Sequence, residues 1–214
     1  MNVLLLADLH AKKRAYDLIK SRLGEFDLIL ILGDITDFGR PVEVERYVRN
    51  LMEVNDNILA IPGNCDPVES VNILEKLGVN LHEKIVEIDD IKFLGLGGSN
   101  LTPFSTPFEM DESEIEIRLE SLLDKKENFI LVTHAPPRDT KVDKTWSGLH
   151  VGSIAIRKYI ERLSPSYNFC GHIHESRGKD EIKDTLIINP GPMVGFQFAT
   201  INLRSGKIQF EKLR

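Results

Sequence analysis

Short, nearly unbroken apolar runs alternate along this chain with stretches whose apolar residues recur at helical spacing. Val3 to Ala7, Leu28 to Leu32 and Ile58 to Ile61 contain no polar position. A strand with one wet face alternates in character, so unbroken runs predict strands covered on both faces. Helices are predicted between and after them, at about 12–24, 42–54 and 67–77. Ala15, Leu18, Ile19 and Leu23 share one face of the first, and Val44, Val48, Leu51 and Met52 one face of the second. Asp66-Pro67 reads as an N-cap followed by proline at the first helical position, which would open the third.

The middle of the chain changes character. Two strand-like runs within 83–97 flank Asp89-Asp90, a hairpin pattern, and a loop containing Gly97, Gly98, Pro103 and Pro107 follows. Helical spacing returns at about 112–124 and 152–163, next to strands expected at 129–133 and 167–170. Three more strands are expected at about 184–189, 196–203 and 206–212, the last two joined by Arg204 to Lys207. Alternating β and α elements followed by a β-rich end predict α/β layers built on two sheets. The chain has 214 residues, 42% of them hydrophobic and 28% charged. That is enough for one full core, so a single domain over 1–214 is expected.

Charge and cysteine usage narrow the function. The formal net charge of −6 argues against an extended nucleic-acid partner, which a basic surface would serve. No apolar run approaches the ~20 residues of a membrane helix, and the N-terminus has no basic segment before its apolar run. Two cysteines, Cys65 and Cys170, are too few to staple a chain of this size. They fit a reducing compartment, and the cytoplasm is the expected location.

Five polar clusters each follow an apolar run. They begin at Asp8-Leu9-His10, Gly33-Asp34, Gly63-Asn64-Cys65-Asp66, Thr133-His134 and Gly171-His172-Ile173-His174, and they hold four of the six histidines. Ligands of open α/β sheets gather beyond the carboxyl ends of strands. Alternation along an extended segment would aim Asp8 and His10 the same way, and likewise His172 and His174. Glycine before Asp34, Asn64 and His172 allows a sharp turn and a close approach to a ligand. Each cluster alone has a plain reading as a turn or a cap. Together they can converge seven oxygen and imidazole donors: Asp8, His10, Asp34, Asn64, His134, His172 and His174. Such donors without thiolate suit Mn²⁺, Fe, Ni²⁺, Zn²⁺ or Mg²⁺.

This ordered set, over residues 8–174, resembles the calcineurin-like metallophosphoesterase superfamily, whose pattern is D-x-H, G-D-x-x-D, G-N-H-D/E, H and G-H-x-H. The strings His134-Ala135-Pro136-Pro137, Gly171 to Glu175 and Asn189-Pro190-Gly191 are similar to its compact prokaryotic phosphodiesterase-like branch. The resemblance implies a four-layer αββα sandwich with two mixed β-sheets and two divalent cations, Mn²⁺ foremost. One would take Asp8, His10, Asp34 and His174, and the other Asp34, Asn64, His134 and His172, with Asp34 bridging. It further implies phosphodiester hydrolysis by a metal-bridging hydroxide on a small phosphoester. Two bound cations would change the charge from −6 to −2 and reverse its sign locally.

Cys65 departs from the pattern, standing where the superfamily has the histidine assigned to orienting phosphate or protonating the leaving group. A thiol is a poorer proton donor than imidazolium, which predicts slow turnover and a preference for activated aryl phosphodiesters over alkyl monoesters. Asn64, Cys65, Asp66 and Asp37 are the candidate catalytic residues, with Asp37 and Asp66 as acceptors that orient ligands. His82, between two strand runs, is expected to be structural. His150 follows a polar loop holding Arg138, Lys141 and Lys144, a candidate substrate rim or a solvated loop balanced by Asp139 and Asp143. A metal-binding scaffold for protein partners on the same fold is the competing function, and the filled set of seven ligands favours the enzyme.

Overall fold

The apolar runs become central strands, covered on both faces, of two sheets. The computed structural model describes residues 1–123 and 125–213. In chain order the first half contains β1 (Asn2–Leu6), α1 (Lys13–Lys20), β2 (Leu28–Leu32), α2 (Pro41–Met52), β3 (Ile58–Ile61), α3 (Ser70–Lys76), β4 (Lys84–Ile88) and β5 (Ile91–Leu96). The second half contains β6 (Ser99–Asn100), β7 (Glu109–Met110), α4 (Glu112–Leu122), β8 (Ile130–Thr133), α5 (Ile154–Leu163), β9 (Tyr167–Phe169), β10 (Gly178–Ile182), β11 (Thr185–Asn189), β12 (Gln197–Asn202) and β13 (Lys207–Lys212). One sheet has the order β13-β12-β1-β2-β3 and the other β10-β11-β9-β8-β5-β4. Both are mixed: β1, β2 and β3 run parallel, as do β5, β8, β9 and β11, and the pairs β1–β12, β12–β13, β10–β11 and β4–β5 are antiparallel.

Strand alternation divides the core into three slabs. Leu4, Leu6, Ile29 and Ile31 pack with Ala15, Ile19, Val44, Val48 and Leu51 of α1 and α2. Their neighbours Val3, Leu5, Leu28, Leu30 and Leu32 face the other way, against Phe93, Ile130, Val132 and Phe169 of the second sheet. Beyond that sheet, Leu94 and Leu131 pack against Ile115 and Leu119 of α4 and Ile156 and Ile160 of α5. This is the expected αββα sandwich. Unbroken apolar strands are required because each strand residue lands in one slab or the other.

Several local readings change. The first helix ends at Lys20, and a 3₁₀ turn at Leu23–Glu25 buries Leu23 in its place. The third begins at Ser70, not at Pro67, because the Asp66 carboxylate is engaged elsewhere. The helix expected at 112–124 is α4, and position 124 lies outside the described residues. Asp89 and Asp90 both take positive φ, 50° and 61°, as the tight turn between β4 and β5 needs. β10 was not expected: Gly178, Lys179, Asp180 and Glu181 carry no apolar pattern, and the segment is an edge strand paired only with β11. Among the described residues no helix is long and apolar enough to cross a membrane.

Candidate metal centre

All five polar clusters stand at the carboxyl ends of parallel strands. Asp8 and His10 follow β1, Asp34 and Asp37 follow β2, and Asn64, Cys65 and Asp66 follow β3, while the second sheet supplies His134 after β8 and His172 and His174 after β9. The clusters therefore meet where the two sheets face each other. Backbone bonds join the loops: His10 N–H donates to Asp34 O (2.9 Å), Gly171 N–H to His134 O (2.9 Å), and Val194 N–H to Asp8 O (2.9 Å). The Asp8 carboxylate in turn accepts the His172 N–H at 3.1 Å.

The segments do not reach the site by extended alternation. Asp8, His10, Ala11, Asp34 and His172 all have left-handed backbone, with φ from 45° to 68°. For residues with a side chain this conformation costs ~1–3 kcal/mol each and persists only where the surroundings enforce it. Two glycines serve close packing of the site itself. A Cβ on Gly33 (φ +99°) would lie 2.4 Å from His134 Nδ1, and one on Gly63 would lie 2.0 Å from Asp34 Oδ1.

The donors fall into two groups around Asp34. His10 Nε2 is 3.2 Å from His174 Nε2, which is 3.4 Å from Asp8 Oδ1, and His10 Nε2 is 3.6 Å from Asp34 Oδ2. On the other side His134 Nε2 is 3.5 Å from Asp34 Oδ1 and 2.9 Å from Asn64 Oδ1, and the His134 and His172 rings meet edge to face at 5.1 Å. His134 Nδ1–H donates to Leu32 O at 2.8 Å, which fixes the ring and leaves Nε2 facing Asn64 Oδ1. Nε2 donates to that oxygen when His134 is protonated, and becomes a ligand beside it when the proton is lost. The donor set thus fits a divalent metal.

Electrostatics agree. Burial opposes ionisation of Asp34, but His134, His10 and the Cys65 N–H outweigh it and hold the carboxyl well below its usual range. Burial likewise disfavours charge on His134, yet Asp34 and Asp8 raise it to about 9. His172 is pulled down to about 4 by burial and by the neighbouring His134. Burial and the Asp34 carboxylate push the Cys65 thiol far up, so Cys65 beside His10 and Asp34 stays neutral.

The remaining candidates divide. Asp37 is exposed, with Oδ1 3.6 Å from His10 Nδ1. Asp66 is fully buried and accepts N–H bonds from Ile35 (3.0 Å), Thr36 (2.8 Å) and Gly63 (2.9 Å) and the Thr36 hydroxyl (2.8 Å). It ties the turn after β2 to the turn after β3. Asp66→Ala should therefore destabilise the fold by at least ~3 kcal/mol in urea unfolding, since three buried N–H groups lose their acceptor, and Asp66→Asn should lose less. His82 is buried and accepts the Gly97 N–H at 2.9 Å, as a structural histidine would. Cys170 is buried with its thiol 3.6 Å from Ile188 O.

Thr106 and Glu109 were not foreseen. Asn64 Nδ2 donates to Thr106 Oγ1 (2.9 Å), which donates to Glu109 Oε1 (2.6 Å), and this relay turns Asn64 Oδ1 towards His134. The Thr-x-x-Glu spacing at 106–109 was the available signal, since the Thr106 N–H also caps onto Glu109 (2.8 Å). Beside the donors opens a cleft of about 600 Å³, lined by Asn64, His172 and His174 together with Phe104, Arg138 and His150. Of the basic loop, Arg138 reaches this cleft, whereas Lys141 pairs with Asp180.

A two-sheet sandwich with clustered carboxylate and imidazole donors at its strand ends defines a metal-dependent phosphoesterase class. The chain belongs to the calcineurin-like phosphoesterase family, whose family model matches residues 1–176. An uncharacterized protein of Methanocaldococcus jannaschii is 39% identical over 210 residues, covering 94% of this chain and 92% of its own. Among solved structures, a Thermus thermophilus protein superposes with a TM-score of 0.77 at 17% identity, over 100% of this chain and 99% of its own. A dimetal phosphatase from Danio rerio gives 0.65 at 14% identity, over 100% of this chain and 96% of its own. Both show the same fold.

Proposed function

We propose that this chain hydrolyses phosphodiesters with two divalent cations held at the strand ends. The observation that carries the reading is the Asp34 carboxylate, whose Oδ2 faces His10 and Oδ1 faces His134, dividing the donors into two sets that share one residue. Asp8, His10 and His174 would complete one set, and Asn64, His134 and His172 the other. Bound there, the cations would supply a nucleophile at neutral pH and offset charge on the phosphoryl oxygens. The name of the zebrafish structure, a dimetal phosphatase, supports the paired arrangement.

The chain's own residues set the rest. His134 is held by Leu32 O and Asn64 by Thr106, which orients both towards the donor cluster. Burial and the Asp34 carboxylate raise the Cys65 thiol above its usual range, which makes it a poor proton donor. With Cys65 a poor donor, diesters with acidic leaving groups should outrun alkyl monoesters, whose departure depends more on an acid elsewhere in the cleft. Two buried free thiols fit a reducing compartment, for which we take the cytoplasm.

The test is a matrix of metals against substrates on chelated and reconstituted protein. Mn²⁺ is expected to restore hydrolysis of bis(p-nitrophenyl) phosphate, with alkyl monoesters slower. Protein that stays inert on every phosphoester with Mn²⁺, Ni²⁺, Zn²⁺ and Mg²⁺ would turn the reading towards a scaffold.

A further inference from the structure

We propose that His150 donates the proton to the leaving group, with buried Asp143 as its positioning residue. The inference rests on the phosphoesterase reading above and fills the role that Cys65 leaves vacant. His150 Nδ1–H donates to Asp143 Oδ1 at 2.6 Å, which leaves Nε2 to exchange a proton. The His150 side chain is one-third exposed (33%) and lines the same cleft as Asn64, His172 and His174.

The pair is built rather than incidental. Asp143 is fully buried and also accepts the N–H groups of Asp139 (3.0 Å), Thr140 (2.8 Å) and Gly152 (3.1 Å). The Thr140 hydroxyl adds a fourth donor at 3.3 Å, and of these side-chain and backbone partners of the carboxylate it is the His150 imidazole that borders the cleft. The backbone fixes the ring's place as well: Val151 N–H donates to Asp143 O (3.1 Å) and Thr145 N–H to Leu149 O (2.9 Å), closing the loop on itself. Other charged or titratable groups bordering the cleft are Arg138 from the segment after β8, and His172, His174 and Glu175 from the segment after β9. Glu175 is itself tied to the Trp146 N–H at 3.0 Å. A carboxylate that orients an imidazole and stabilises its charged form is the arrangement by which hydrolases deliver a proton to a departing group.

In the step, a water oxygen forms the new bond to phosphorus and the bond to the ester oxygen breaks. The electron pair stays on the leaving oxygen, which takes the proton from His150 Nε2. The attacking water's surplus proton passes to solvent, and the neutral imidazole is reprotonated from solvent.

The test uses aryl methyl phosphodiesters whose phenols range from p-nitrophenol to unsubstituted phenol, on the Mn²⁺-loaded protein. His150→Gln, which keeps a donor for Asp143, should lower the phenyl-to-p-nitrophenyl rate ratio at least ~10-fold, within the ~10²–10⁴ that proton transfer contributes. Added imidazole should recover the phenyl ester selectively in His150→Ala. In the metal-free protein a low-field Nδ1 proton resonance should be present and vanish in His150→Gln. Equal loss on all esters, no loss on any, or the absence of that resonance overturns the role of His150. Wild-type protein inert on the p-nitrophenyl ester overturns the phosphoesterase reading itself, and this inference with it.

Discussion

The Asp34→Asn variant is expected to lose both metal equivalents. Wild-type protein reconstituted with Mn²⁺ should approach about two per chain by elemental analysis, as a dinuclear centre requires, and the variant should fall well below one. The reason is geometric. Asp34 is the residue whose two oxygens face the two donor groups, and an amide offers one oxygen and no charge in place of two oxygens sharing a negative charge. The fold should survive, because the oxygen that accepts the Cys65 N–H at 2.8 Å can be kept by asparagine. Circular dichroism and thermal unfolding check that point. A wild type that saturates at one equivalent, with Asp34→Asn unaffected, would remove the dinuclear reading.

Loss of a second-set histidine should be nearly as severe for turnover. His172→Ala is expected to cut the rate on an activated phosphodiester by at least ~100-fold, the scale of losing a main electrostatic contribution. His172 is half-buried, so its removal should leave the fold intact. His134→Ala should cost the same activity but also stability, because His134 is fully buried and its loss strands the Leu32 carbonyl. That cost is ~1–3 kcal/mol. A strand-end ligand is thus not always at the rim of the core. Steady-state kinetics with urea unfolding of both variants separates the two effects, and a His172→Ala protein with wild-type turnover would refute the role.

Two sheets of covered strands, and the strand ends, were legible from periodicity, while the four-layer order came with the resemblance. Leu28 to Leu32 can be apolar throughout only if both faces are covered, and a polar residue directly after such a run must lie at the sheet's edge. β10 was not legible because an edge strand paired on one side needs no apolar face. Asp66 misled for a different reason: an acid before proline is a local signal, and here a tertiary demand, three N–H groups from two separate turns, outweighed it. The approach of Asp8 to His174 was implied by the resemblance, and the backbone achieves it through positive φ, which no periodicity encodes. The Asp143–His150 pair spans a loop whose closure depends on its own backbone bonds, so spacing alone left it between a substrate rim and a solvated loop.

The left-handed backbone at Asp8, His10, Ala11, Asp34 and His172 bears on how this chain could be made more heat-resistant. Glycine would relieve such strain, but at Asp8 and Asp34 it would also strand the His172 and Cys65 N–H groups that their carboxylates accept and discard two donors. The same backbone conformation occurs at Ser164, which caps the end of α5 with φ 51°, and at Lys183, in the turn between β10 and β11 with φ 52°. Neither belongs to the donor set. Strain can therefore be relieved at Ser164 and Lys183 without touching a donor, and the strain at the donors is the part that engineering must leave in place.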